Sequence, residues 1–406
     1  MLVLTKMTRR TLPLRAAAAF VTPVGLVVFP PLGALAFLGF LSLSRQERPW
    51  PLSVPSLTLV VALLISALVS PWPLQALQGV LGALAIGLVL VLLSTRLQPA
   101  DRPAALFGLA AGLAVFGLKA VYDVFVAGAP RATGFTFHAN IAAGLMLTGC
   151  LALLGGLSAV RRTLPRLLLL AGLLGGLAAL ALSGSRGAYF GLGAGLVAFV
   201  LVQLYQGKGR KLAVLLAIGV AAALAVGLEP LLDLFLRRAD LVDDPLNPMG
   251  RTFMWLLALE LAAQRPFLGY GFGAWRELIP IIEPTFPVES LQHAHNLYLQ
   301  LLLDGGSVSL VAFISWLCLI GWKLLSRALR GSLMATSALA ALVGVAAHNL
   351  LDVTLYQAQS ASLLWLSIGL GLVATCGKSS KDTKGDDDYA ERHANAAEQP
   401  EVDKEQ

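Results

Sequence analysis

Apolar residues run along most of this chain in unbroken blocks, not at the two- or 3.6-residue spacing of half-buried elements. Blocks at 53–69, 74–94, 104–127, 138–158, 167–183, 187–206, 211–228, 306–322, 332–351 and 357–376 approach the roughly 20 residues that cross a bilayer as a helix. Some are short or carry glycines, which helix packing in lipid tolerates. The stretch 16–44 is longer than one span, and Pro30-Pro31 divides it. Reading it as two short spans, 16–29 and 32–44, gives an all-α polytopic membrane protein of about twelve transmembrane helices.

The basic residues choose that count. With the N-terminus inside, clusters at Lys6/Arg9/Arg10/Arg15, Arg45/Arg48, Arg96/Arg102, Arg161/Arg162/Arg166, Lys208/Arg210/Lys211 and Lys323/Arg327/Arg330 all fall on the cytoplasmic side, as the positive-inside rule requires. A single span over 16–44 would put the first cluster outside. The organisation expected is then a cytoplasmic N-terminus (1–15), transmembrane helices 1–9 (16–228), one large periplasmic loop (229–295), transmembrane helices 10–12 (296–376) and a disordered cytoplasmic tail (377–406). Inside the loop, Phe253–Ala263 is apolar but too short to span. Arg251 and Arg265-Pro266 bracket it, so an interfacial helix ending before Pro266 is expected. The start lacks a small-residue cleavage site and is read as a retained anchor.

Composition agrees with the pattern. The chain is 57% apolar and 13% charged, where soluble domains carry about 25% charged residues. Its mean hydropathy is +0.76. These values exclude a soluble enzyme, a disulfide scaffold and a disordered chain. The net charge of +7 is explained by cytoplasmic loops, so no nucleic-acid partner is expected. Cys150, Cys318 and Cys376 show neither metal nor disulfide spacing.

Candidate chemistry lies in ionisable groups on the outer side. Arg186 sits in Ser183-Gly184-Ser185-Arg186-Gly187, a turn with almost no loop, on the side where basic residues are scarce. Snorkelling to the interface is the ordinary use of such an Arg; the flanking glycines, where backbone can approach a ligand closely, favour a binding role. Gly187, Gly191 and Gly195 form a small-residue face for helix packing. Arg251 opens Gly250-Arg251-Thr252-Phe253-Met254-Trp255, and Pro266-Phe267-Leu268-Gly269-Tyr270-Gly271-Phe272-Gly273 follows as a turn-rich loop. His293 and His295 stand two apart in Gln292-His293-Ala294-His295-Asn296. That spacing does not share one helical face, and no Glu or Cys completes a ligand set, so no metal is expected. A neutral imidazole here can serve as a general base. Lys119 and Asp123, four residues apart in one span, read as a mutually neutralising pair. His138 and Arg131 are second-rank site candidates. His348-Asn349 and Asp352 either line a cavity or cap a helix.

Together these segments carry a resemblance. An Arg in a short outer turn, an Arg four residues before Trp with a downstream Pro-x-x-Gly-x-Gly, then His295-Asn296 with Gly306 ten residues after the Asn, resembles the O-antigen ligase and polymerase superfamily. Gly134-Phe135-x-x-His138-x-Asn140 looks like a further family feature, and the likeness covers most of 16–376. It implies a GT-C-like, metal-independent membrane glycosyltransferase of lipopolysaccharide biosynthesis in the cell envelope, with no cofactor. The protein would lie in the bacterial inner membrane with its active site facing the periplasm. Its donor would be a glycan on undecaprenyl pyrophosphate, and its acceptor a glycolipid or glycan such as lipid A-core. By family position Arg186 and Arg251 would hold the pyrophosphate and His295 would activate the acceptor hydroxyl, with His293, Asn296, His138 and Arg131 around the substrates.

Physical chemistry agrees with those roles. The leaving diphosphate gains negative charge, and guanidinium forks suit it at roughly 1.5–3 kcal/mol per charge-assisted hydrogen bond. With no carboxylate evident beside His295, direct attack would invert the anomeric centre. A polymerase that lengthens the glycan on its carrier is the rival within the same fold. A small-anion carrier of bicarbonate type is the rival from another class, and it would need a path through the bilayer where only Lys119 and Asp123 sit at depth.

Overall fold

The computed structural model describes residues 11–42, 53–208, 251–282 and 293–373, and among them every regular element is helical. The helices are α1 (Thr11–Val28), α2 (Pro30–Ser42), α3 (Val54–Leu68), α4 (Pro73–Arg96), α5 (Arg102–Val121), α6 (Ala139–Ala159), α7 (Thr163–Ser183), α8 (Arg186–Tyr205), α9 (Arg251–Gln264), α10 (Trp275–Ile282), α11 (Leu297–Leu329), α12 (Leu333–His348) and α13 (Ala358–Leu372). Every expected span except 211–228 falls on one of these. That block, 229–250 and 283–292 of the loop, and the tail from 377 lie outside the described residues. Five segments are long and apolar enough to cross a membrane: Pro99–Val126, α6, α7, α8 and α11. Shorter apolar helices join them at Pro13–Val28, Pro30–Ser42, Val54–Leu68, Leu333–His348 and Ala358–Leu372. The outer surface is apolar where lipid would be, with Leu118, Phe125, Leu164 and Trp322 exposed.

Local signals explain the boundaries. Pro30 starts α2 after the break at Phe29, where a proline is tolerated because its missing N–H would be unpaired anyway. Ser53 and Ser56 form a reciprocal cap on α3. Between α7 and α8, Gly184 takes the left-handed conformation (φ 60°) and Ser185 is already the cap of the next helix. One glycine thus makes the turn that puts Arg186 at the first position of α8.

Small residues let backbones touch, as in lipid, where close packing replaces hydrophobic drive. A Cβ on Gly25 of α1 would lie 2.2 Å from the backbone N of Gly33 in α2. Gly117 of α5 meets Gly175 of α7 in the same way. Gly191 and Gly195 of α8 press on the carbonyls of Gly344 and Ala340 in α12, at 2.6 and 2.7 Å from an ideal Cβ. Helix α6 is the central member, buried from Ala139 to Gly156 almost without interruption.

Within α11 two helical stretches meet at a kink at the non-helical Gly306 (φ 68°, ψ −174°), where the sequence places the start of the block 306–322. The glycine loop after α9 is fastened to that break. Tyr270 N–H donates to Leu303 O (2.8 Å), Gly271 N–H to Asp304 O (2.9 Å) and Ser307 N–H to Pro266 O (2.8 Å). Backbone groups freed by the kink are thereby re-paired, which apolar surroundings demand. A Cβ at Gly306 would come within 2.1 Å of the Phe267 backbone, so this position admits no side chain.

Candidate functional site

The starts of α6, α8, α9 and α11 and the ends of α7 and α12 converge on one cluster of polar side chains. Asn296 caps α11, its Oδ1 accepting from the N–H groups of Tyr298 (3.0 Å) and Leu299 (3.1 Å). This leaves the amide nitrogen of Asn296 as the group able to meet a substrate. Just before the cap, His295 holds φ 49°, a left-handed conformation that His adopts more readily than most residues but that still stores about 1–3 kcal/mol. The sharp bend turns its ring toward the loop that follows α12. There His295 Nδ1 lies 3.8 Å from Asp352 Oδ1, with the two side chains 19% and 6% exposed.

Asp352 is held from three sides. Val353 N–H donates to Oδ1 (2.8 Å) and Asn140 Nδ2 donates to Oδ2 (2.6 Å). The amide oxygen of Asn140 accepts from Arg131 Nη2 (2.7 Å), and Arg131 Nε donates to Ser183 O at the end of α7 (2.6 Å). Hydrogen bonds therefore link Arg131, Asn140 and Asp352, and His295 stands 3.8 Å beyond them. Arg131 reaches the site through Asn140, not as a direct contact of the histidine.

The remaining candidates surround this line. The His293 ring meets that of His295 edge-on, with centroids 4.4 Å apart, and His293 Nδ1 accepts from His295 N–H (3.3 Å). His138 caps α6, its Nδ1 accepting from Asn140 N–H (3.2 Å). Arg251, the first residue of α9, exerts its charge on His138, His295 and His348. Arg276 acts on His293. Arg186 is half-buried at the first position of α8, beside Gly187, whose Cβ position would touch His348 Cδ2 at 3.1 Å. Lys119 and Asp123 do pair within one helix, and Asp123 also receives the N–H of Gly134 at 2.9 Å.

Burial, reinforced by the neighbouring His293, holds the His295 imidazole well below its usual value against the opposing pull of Asp352. His293 and His138 are lowered by burial as well, again against Asp352. Burial alone would raise Asp352, but the imidazoles of His295, His348 and His293 outweigh it and keep the carboxyl below its ordinary value. At neutral pH the site is a carboxylate beside neutral imidazoles.

Two sequence readings change here. No carboxylate was evident beside His295, yet Asp352 arrives from the far side of α12, 57 positions along the chain. It gives His293 and His295 a third group with all three ligand atoms within 4.8 Å of one another. The hydrogen bonding disfavours an ion in this arrangement. A neutral His293 that accepts at Nδ1 carries its proton on Nε2, whereas metal-bound histidines donate from the second nitrogen. Asp352 is also a poor nucleophile, since both its oxygens already accept hydrogen bonds. Sequence spacing could not reveal the Asp352–Asn140–Arg131 line, because Asp352 follows α12 while Asn140 and Arg131 lie at and just before the start of α6. The only signal was a run of polar residues, His348-Asn349 and Asp352, closing an otherwise apolar block.

An apolar cavity of about 200 Å³ opens beside this cluster, between α3, α4, α11 and α13. Leu297, Tyr356, Phe313, Trp316 and Trp365 are among the residues that line it.

Residues 167–314 match a family model described as O-antigen ligase. Families of this kind are membrane enzymes that process glycans, and this segment is similar to them. The matched segment takes in Arg186, Arg251, His293, His295 and Asn296. It ends before Asp352 and begins after Arg131, His138 and Asn140, so the polar line joins the matched segment to residues on both sides of it. No curated protein matches the chain.

Proposed function

We propose that this protein transfers a glycan from undecaprenyl pyrophosphate to the hydroxyl of a glycolipid acceptor of lipid A-core type, as an O-antigen ligase of the bacterial inner membrane. Twelve spans with both ends in the cytoplasm would put the polar cluster at the periplasmic face. The observation that carries the reading is the neutral His295 backed by the ionised Asp352, close to Arg251 and inside the matched segment.

The chemistry runs as follows. With its Nδ1 proton toward Asp352, His295 presents the Nε2 lone pair to the acceptor hydroxyl. Nε2 takes the proton as the oxygen bonds to the anomeric carbon, and the bond from that carbon to the diphosphate oxygen breaks. Its electron pair leaves on the diphosphate. Asp352, fixed by Asn140 and Val353, stabilises the imidazolium that forms, the role an acid plays behind a catalytic histidine. Arg251 and Arg186 meet the charge growing on the leaving group. An interaction that strengthens as charge develops lowers the barrier and does more than bind the ground state. Asp352 stands behind the base and already accepts two hydrogen bonds, so attack is direct and inverts the anomeric centre. No metal or cofactor enters the scheme. The apolar cavity suits the first isoprene units of the donor lipid, which would place the pyrophosphate near Leu297.

The test is reconstitution in liposomes with an undecaprenyl-pyrophosphoryl glycan and two acceptors, a lipid A-core and a second copy of the lipid-linked glycan. Glycan on the first acceptor supports the ligase. Product on the second alone would make the protein a polymerase, and turnover of neither would refute the reading.

A further inference from the structure

The geometry points to Asp304 as the positioning residue that keeps His295 and Asp352 in register, through one buried carboxylate that ties the segments bearing both. This inference rests on the reading of those two residues as the catalytic pair. Asp304 lies two positions before the break in α11 and is fully buried. Its side chain makes no contact with the histidines, but its two oxygens hold two separate lines leading to them.

The first line goes to the histidine side. Asp304 Oδ1 accepts from Gln300 Nε2 at 3.0 Å, one turn back along α11. The other end of the same amide, Gln300 Oε1, accepts from the N–H of Ala294 at 2.9 Å. Ala294 is fully buried and stands between His293 and His295. The peptide that sets the left-handed bend at His295 is therefore anchored through Gln300 to Asp304. That anchoring has a polarity. Gln300 must turn its oxygen toward Ala294, so only its NH₂ is left for position 304, and an acceptor is required there.

The second line goes to the carboxylate side. Asp304 Oδ2 accepts from the Tyr356 hydroxyl at 3.0 Å. Tyr356 closes the 3₁₀ turn Thr354–Tyr356, which directly follows Val353, the residue whose N–H holds Asp352 Oδ1. The Tyr356 ring stacks on Phe272, with centroids 4.9 Å apart and planes 15° from parallel. The backbone amides of Gly273 and Ala274 face Asp304 as well. Segments at 272–274, 294 and 353–356, remote in sequence, thus meet on one side chain.

A packing role alone does not explain an acid here. Removing a carboxylate from water is costly, and apolar residues of similar size commonly replace buried charges without loss of stability. An apolar side chain would fill the same space but would release Gln300 and Tyr356 together. The two segments would still be joined by Leu297 N–H, which donates to Asn349 O and Asp352 O (2.9 and 3.0 Å), but the side-chain ties beyond that bond would be lost, and misplacement by about 1 Å can cost about 10²-fold in rate.

The experiment uses the full-length purified protein and three variants: Asp304→Leu, Gln300→Leu and Tyr356→Phe. Tyr356→Phe deletes only the hydroxyl and keeps the ring on Phe272. Two quantities are read, the steady-state constants for glycan transfer and the rate of His295 modification by diethylpyrocarbonate, followed by mass spectrometry against His138 in the same molecule. Asp304→Leu, which offers no acceptor to Gln300 or Tyr356, is expected to lower kcat by about 10-fold or more with KM for donor and acceptor held within about two-fold, and the single-line variants to lower it less. Modification of His295 relative to His138 should quicken in all three. The labelling needs no substrate, so it still reports if glycan transfer itself is not the activity. Unchanged His295 labelling in all three variants overturns the inference, as does a loss confined to KM. Should Asp304→Leu fail to fold, Tyr356→Phe carries both readouts by itself.

Discussion

Two buried acid clusters sit at opposite ends of the helix bundle and are built in different ways. Where α1, α4 and α5 meet, Arg15 donates from Nε and Nη2 to both oxygens of Asp101, at 2.9 and 2.7 Å. Nη2 also reaches Arg96 O at 3.1 Å, and Gln98 N–H donates to Asp101 Oδ2 at 2.8 Å. Both side chains are 4% exposed, and the guanidinium lies 5.0 Å over the Phe40 ring. Only Arg15 Nη1 lacks a partner. At the other end, His295 faces Asp352 across 3.8 Å, and His295 Nδ1 and both ring nitrogens of His348 have no hydrogen-bond partner in the described residues. The first cluster is closed on itself and fixes helices. The second leaves buried ring nitrogens without partners beside Asp352, the feature on which the proposed site rests.

Separating the two ends by mutation starts with the largest effect. Asp352→Asn keeps the shape but removes the charge behind His295, and turnover should fall by about 10²-fold or more while the protein stays folded. Purified variant and wild type compared in the liposome assay check this. Equal turnover would make Asp352 a loop anchor like Asp101. Arg251→Lys comes next. Lysine keeps the charge but loses the planar fork, so about a tenfold loss of kcat/KM is expected; full activity would reduce Arg251 to charge steering. Arg15→Ala should show the reverse profile. It leaves Asp101 buried and unpaired, at a cost of about 3–5 kcal/mol, read as a lower unfolding temperature in detergent. Activity per folded molecule should be unchanged.

The pH dependence sharpens the same contrast. Burial lowers the His295 imidazole below its usual value, so the base remains neutral as pH falls past 6.5. Activity should hold through mildly acid pH and fall only further down, where a solvent-exposed imidazole base would already be spent. A kcat profile with its midpoint near 6.5 would mean that His295 is hydrated during turnover. The smallest effect is expected from a chelator. If His293, His295 and Asp352 act by proton transfer and not as a ligand set, excess EDTA should leave the rate unchanged, which a single assay decides.

The sequence made one end more legible than the other. Helix positions came directly from the apolar blocks, since lipid requires that pattern over every span. Arg186, Arg251 and the His-Ala-His turn stood out because charge and glycine are costly or unusual at outer helix ends. The charge side of the site was harder to read. Asp352 is a short acid after an apolar block, indistinguishable by spacing from a helix cap, and its partners Asn140 and Arg131 precede it by more than two hundred residues. The docking of another loop on the kink at Gly306 was equally hidden, because only the tertiary contact with Phe267 reveals it. Asn296, beside the base in sequence, has its side-chain oxygen occupied as a helix cap, a role any Asn before an apolar run could take.

The measurement that bears most directly on the account is single-turnover glycan transfer by His295→Ala, with donor binding measured separately and His293→Ala as the control. Both variants alter the same turn, so damage to loop structure would affect them alike, whereas loss of the base touches only one. The expected result is a fall of about 10²-fold or more in the transfer rate for His295→Ala, unchanged donor affinity, and a much smaller change for His293→Ala. Near-normal transfer by His295→Ala, or a defect lying wholly in donor binding, would contradict the assignment of His295 as the base.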